Sequence, residues 1–304
     1  MVGAAMLAAC GKGTAPPGAE KSAAGAVAFP AETRAVIGID VARVRASAVA
    51  VRAVRAVLDR DPETRAKLDA LFTRCQIDPG ADLKTVTLGM AGPEDVAVVI
   101  VGAKPSTIDE AKVVACLRQT STVVAKAGRY ASTAKDGQTV FLAFGGEPSL
   151  VLATSDAWLA KVMDPTAPKL AGAMTARLAQ VSPQAAVWGV GELPPGVGAK
   201  LVELSQGQLA APATAFRFEV DLANGVLASL AAEMQTPADA EKLAALVKSQ
   251  LDWAVVAAQR WGLSRLVAKA QVRSESNVAR VSLQLDEKQL EELAAALDGK
   301  EQKQ

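Results

Sequence analysis

The sequence predicts an α+β fold, with antiparallel sheets and helices packed on them. Three observations carry this expectation. Apolar residues switch between period 2 and period 3.6 along the whole chain. Asn224-Gly225 and Asp136-Gly137 sit between alternating runs, the signature of tight hairpins. Thr107-Ile108-Asp109-Glu110 is a capping box, and Thr236-Pro237 places a cap before a proline; both open helices.

Taken in order, Ala35–Asp40 (AVIGID) reads as a buried strand. Val44, Val51, Val54 and Leu58 then form one helical stripe, and Asp61-Pro62 starts a second helix facing inward with Leu68, Leu71, Phe72 and Cys75. Strands follow near 85–90 and 96–101, then a helix from the capping box to about Arg118. The stretch 129–154 reads as a meander with strands at 129–134, 139–144 and 150–153, and a helix begins near Ser155. Beyond Ser182-Pro183 the same grammar returns: a strand at 185–190, a short helix at 198–204, and long strands at 214–222 and 226–234 around Asn224-Gly225. The longest helix follows, with Leu243, Leu246, Val247, Leu251 and Ala254 inward, then strands near 266–273 and 278–285 and a final helix bearing Leu290, Leu293 and Leu297. Thr107–Leu117 lies over Thr236–Val247, and Leu150–Met163 over Val281–Leu293, which suggests two tandem pseudo-repeats at 31–180 and 181–298 before a polar tail at 299–304.

Composition excludes more than it assigns. Thirty-three basic and 32 acidic residues leave a formal charge of +1, and aromatics make up 4%. Nucleic-acid binding surfaces carry a basic excess with interleaved aromatics, so nucleic acid is not an expected partner. Histidine is absent. That removes the usual partner of a nucleophilic Ser or Cys and the commonest metal ligand. Carboxylate, Lys or Tyr chemistry is left open, but no catalytic or metal-binding constellation is found, and no cofactor is expected.

The first nine residues, Met-Val-Gly-Ala-Ala-Met-Leu-Ala-Ala, are apolar and uncharged and end at Cys10. A helix needs about 20 residues to span a bilayer, so this run reads as the end of a signal-peptide apolar region. Leu7-Ala8-Ala9-Cys10 resembles the lipobox of bacterial lipoproteins. The resemblance implies diacylglyceryl attachment to the Cys10 thiol, cleavage before it, and acylation of the new amine with palmitate. No Lys or Arg precedes the run, so a complete leader requires residues upstream of Met1. Residues 10–30, rich in Gly, Ala, Ser and Pro, read as a flexible tether spanning about 24 Å. Gly11 is not the Asp that the family's sorting rule uses for inner-membrane retention, which favours the periplasmic face of the outer membrane.

Each remaining motif also has a plainer structural meaning. Cys75 and Cys116 are an even pair in an oxidising compartment, either a disulfide or two buried thiols. Ser132-Thr133-Ala134-Lys135 matches the Ser-x-x-Lys of penicillin-recognising enzymes but runs along a strand into a hairpin turn, and reads as an exposed strand end. Arg45, Arg52 and Arg55, with Arg60 and Arg65, read as a solvated face or a contact for anionic lipid. Asp59 and Asp61, and Glu287, Glu291 and Glu292, lack calcium-loop spacing and read as surface charge. Gly189-Val190-Gly191 follows a strand without the rest of a dinucleotide pattern. Trp253 and Trp261 share one side of the long helix and read as core.

The expectation is therefore an exported, membrane-anchored lipoprotein with a non-catalytic binding or scaffolding role, its partners the membrane through Cys10 and envelope proteins or a small apolar ligand. Two alternatives stay open, a small-molecule or lipid binder and a carboxylate- or Lys-based envelope hydrolase. A dry apolar cavity would favour the first, converging carboxylates the second, and a featureless surface the scaffold.

Overall fold

The computed structural model describes residues 29–298, apart from 60, 105, 146, 147 and 206. Its first half contributes strands β1 (Ala35–Asp40), β2 (Leu83–Met90), β3 (Val96–Gly102), β4 (Ser121–Lys126), β5 (Arg129–Ala134), β6 (Thr139–Phe144) and β7 (Ser149–Ala153). The second contributes β8 (Ala185–Glu192), β9 (Ala215–Asp221), β10 (Val226–Glu233), β11 (Gln271–Glu275) and β12 (Val278–Leu285). All pair antiparallel in one 12-stranded sheet of order β11-β12-β10-β9-β8-β1-β2-β3-β7-β6-β5-β4. The fold is α+β.

Read outward from the central β1·β8 pair, the halves run β1-β2-β3-β7-β6 and β8-β9-β10-β12-β11. Each starts with one strand, adds a hairpin, crosses by a helix, and returns beside the hairpin. The first half alone goes on to β5 and β4. The two halves thus repeat one topology within a single sheet.

The helices are α1 (Val41–Ala46), α2 (Ala48–Asp59), α3 (Pro62–Cys75), α4 (Pro79–Asp82), α5 (Glu110–Leu117), α6 (Asp156–Met163), α7 (Ala173–Leu178), α8 (Pro195–Leu204), α9 (Pro237–Ala258), α10 (Ser264–Val267) and α11 (Glu287–Asp298). Two capped starts form as expected, at Ser155 and Thr236, whereas α5 is capped by Asp109 and not by Thr107 of the expected capping box, whose Oγ1 accepts from the Lys104 N–H at 3.2 Å. Asp109 Oδ1 accepts from the Lys112 N–H at 2.8 Å, Ser155 Oγ from Trp158 at 3.1 Å, and Thr236 Oγ1 from Asp239 at 3.1 Å.

Several expectations are corrected. The stripe from Val44 to Leu58 is two helices, because Ser47 leaves helical geometry, ends α1 through its N–H, and caps α2 by accepting from Ala50 at 3.3 Å. Val54 then faces solvent, 49% exposed, and on α9 Ala254 is exposed as well. Leu266 and Val267 belong to α10, and β11 starts only at Gln271. Phe29 and Pro30, assigned to the tether, are part of the body: Phe29 is fully buried and its ring fills the space that a Cβ would need at Gly89. The side chains of Leu68, Leu71, Trp261, Leu293 and Leu297, and the whole of Arg60 and the 299–304 tail, lie outside the described residues, as do Cys10 and the tether to residue 28.

The register defines two faces. On one, Val36, Ala97, Val151 and Ala153 of the first half, with Trp188 and Val190 of β8, are buried under Trp158, Leu159 and Val162 of α6 and Met174 of α7. On the other, α9 buries Ala240 and Leu243 against Met234 and Ala279, and α11 sets Leu290 against Leu285 and Leu266. Leu285 and Ala279 have the same parity along β12, so α11 lies on the α9 side. In chain order α11 is the counterpart of α6, yet it covers the opposite face. Among the described residues, no helix covers the α6 face of β9, β10, β12 and β11.

Candidate functional site

That uncovered face forms a cleft of about 540 Å³. Its floor comes from β9, β10, β12 and β11, and its wall from α7 and the segment that leads into β8. The floor can be read as cross-strand rows. One row runs Val36, Val190, Arg217, Ala231, Arg280, Arg273 across β1, β8, β9, β10, β12 and β11. Its apolar part lies in the core, and it turns cationic where the helical cover ends. The next row on the same face is Trp188, Glu219, Ser229, Ser282, Gln271. On the other side of the arginines lie Glu233, Val278 and Glu275.

The wall is held by directed bonds. Arg177 on α7 donates to both carboxylate oxygens of Glu233, Nε at 3.0 Å and Nη2 at 2.8 Å. This bidentate pair raises Arg177 above the usual guanidinium pKa, the hydrogen bond to Glu233 outweighing its partial burial. Glu219 accepts from the Ser182 N–H at 2.8 Å and from Ser229 Oγ at 3.3 Å. Arg217 donates to Gln180 Oε1 at 2.7 Å and to the Gln180 carbonyl at 3.1 Å, and Arg43 of α1 fixes the same segment through the Pro183 carbonyl at 2.5 Å. Burial lowers the pKa of Arg217, and the like charge of Arg280 lowers it further.

The cysteines expected as a pair are brought together. Cys75, closing α3, is bonded to Cys116 of α5, with Cα atoms 5.2 Å apart. The bridge lies on the first half of the molecule, away from the cleft, and it staples two helices. Ser132 is correctly on a strand, β5, but it is 8% exposed and bonded to Ser121 Oγ at 2.7 Å. It is a buried strand hydroxyl, not an exposed strand end, because its side of β5 packs toward α5 while Lys135 lies past the strand end. Gly189 and Gly191 are sheet-packing positions: a Cβ at the first would strike Phe218, and at the second Ala35. Trp253, expected in the core, is 73% exposed. The α9 face that meets β11 and β12 is carried by smaller residues such as Ala240 and Leu243, and Trp253 falls outside that stripe.

Asp59 is paired with Arg65, while Glu287, Glu291 and Glu292 stay exposed on α11. Arg45, Arg52 and Arg55 are exposed on α1 and α2. Among the described residues there is no group of three or more His, Cys, Asp and Glu side chains placed to hold a metal ion, and no helix long and apolar enough to cross a membrane.

No family model matches the chain, and no curated protein matches it. Among solved structures it is similar to the one described as the structure of crystal form I of TP0453. The two share 12% identity at a TM-score of 0.46, over 95% of this chain and 99% of that chain. A likeness at that level supplies no argument about function.

Proposed function

We propose that the protein is an exported lipoprotein, anchored to an envelope membrane by lipid on Cys10, whose body binds a polar ligand or partner in a non-catalytic role. The observation that carries the binding part is the uncovered sheet face. A helix buries the equivalent surface of the first half, whereas here the floor mixes Arg, Glu and Ser with Leu227, Ala231 and Val278. The charged groups in this mixed lining support an occupant that carries a polar or ionic group over a bare acyl chain. The cleft carboxylates favour binding over hydrolysis, since Glu233 is held by Arg177 and Glu219 by Ser182 and Ser229. The anchor rests on the Leu7-Ala8-Ala9-Cys10 motif and on the Gly- and Pro-containing stretch behind it.

Cys10→Ser is expected to move the protein from the membrane pellet to the soluble fraction. A stable attachment takes several acyl chains, each buried CH₂ contributing about 0.8 kcal/mol, and the variant loses all of them. A variant that still pellets with membranes and resists a high-salt wash contradicts the anchor. Photo-crosslinkers placed at Gln271 and Ser282, on the cleft floor, are expected to trap an envelope partner or ligand that crosslinkers at Lys112 on α5 do not.

A further inference from the structure

We propose that the row Arg217, Ala231, Arg280, Arg273 is an anion-binding site, taking a ligand with phosphate or carboxylate groups. The inference rests on the reading of the body as a binding module, and is independent of the lipid anchor. Arg273 and Arg280 are directly opposed on β11 and β12, a pairing that places two Cβ atoms about 5 Å apart and is unfavourable for like charges. Arg217 lies two strands away on the same row, about 10 Å in strand spacing, with only the methyl of Ala231 between them. The row therefore sets guanidinium groups on either side of the buried methyl of Ala231, along the cleft floor.

The nearby acids are oriented by other groups and, among the described residues, none pairs directly with Arg273 or Arg280, although Glu219 and Glu233 act through space on Arg217. Both oxygens of Glu233 are taken by Arg177, those of Glu219 by Ser182 and Ser229, and Asp221 Oδ1 by the Ala223 N–H at 2.8 Å. Glu275 sits in the next row on the edge strand, exposed to solvent. Among the described residues Arg280 makes no hydrogen bond or ion pair, and Arg273 bonds only its neighbour Gln271, at 2.8 Å. Arg273 and Arg280, opposed and without an ion pair among the described residues, raise the energy of the empty site, and an oxyanion relieves it. Planar guanidinium groups also match the paired oxygens of carboxylate and phosphate, which an ammonium would not. The cleft volume of about 540 Å³ admits an organic ligand around such a group.

The test is titration calorimetry on the full chain in detergent, with inorganic pyrophosphate and citrate as probes, against Arg280→Gln, Arg217→Gln and the remote control Lys112→Gln. The site predicts saturable binding of at least one probe, weakened about tenfold or more in each arginine variant and unchanged in the control. Pyrophosphate alone would assign phosphate chemistry, and citrate alone a carboxylate. Without any anion, Arg280→Gln is also expected to melt about 1–2 °C higher at low salt, because one of two opposed charges is gone. Absence of binding up to about 10 mM of either probe overturns the proposal. So does binding that both arginine variants retain in full.

Discussion

Trp188→Ala is expected to lower the unfolding free energy by about 3–5 kcal/mol, the range for removing a buried large aromatic. Trp188 is 2% exposed on β8, directly across from Gly38 on β1, and its ring occupies the space where any Cβ at Gly38 would fall. It therefore sits at the seam where the two halves of the sheet meet, packed with Val36 and Val190 under α6 and α7. Alanine leaves a void that the neighbouring strands cannot close, since Gly38 supplies no side chain to fill it. Urea unfolding followed by circular dichroism measures the change, and a loss below about 1 kcal/mol contradicts a seam built on this ring. Gly38→Val should destabilise through the opposite fault, overpacking against the same ring, by about 1–3 kcal/mol.

Opening the Cys75–Cys116 bridge should have a comparable effect. The cysteines are 41 residues apart, and in the chain-entropy model closing such a loop stabilises by about 3–4 kcal/mol. The crosslinked stretch includes β2 and β3, which pair with the central β1 and with β7. Loss of the bridge loosens α3 first, since this helix packs on α2 and α5 and the disulfide is its covalent tie to α5. Reductant, or the double variant Cys75→Ser/Cys116→Ser, is expected to lower the urea midpoint while leaving the cleft floor folded. Two free thiols in protein taken from the cell envelope would contradict the bridge.

Which parts of this were legible in the sequence follows from how local each signal is. Asn224-Gly225 forms the β9–β10 hairpin, with Gly225 at a φ of 93°, and Ser155 and Thr236 cap their helices, while α5 takes Asp109 as its cap in place of Thr107 because the helix starts only at Glu110. Strand β4 went unseen because its hairpin turns on Ala127-Gly128, with φ of 50° and 76° at the two positions. A left-handed Ala is rare, so the usual turn signal was missing. Short α7 and α10 carry no side-chain caps and so announced nothing.

The candidate site was invisible for another reason. Arg217 and Arg280 are far apart in sequence, and only the pairing of β9, β10 and β12 places them in one row. The one local hint is polar residues at alternate positions of otherwise apolar strands, as in Phe216-Arg217-Phe218-Glu219-Val220. That pattern says one face is wet. It does not say that the neighbouring strands add cations to the same row, nor that α11 crosses to the far side and leaves the face uncovered.

The anchor at Cys10 is the claim on which the location of all this depends, and intact mass spectrometry of the protein extracted from membranes tests it most directly. The expected result is a mature chain beginning at Cys10, heavier than its sequence by a diacylglyceryl group and an amide-linked acyl chain. A chain that retains Met1-to-Ala9 and carries an unmodified Cys10 thiol would contradict it.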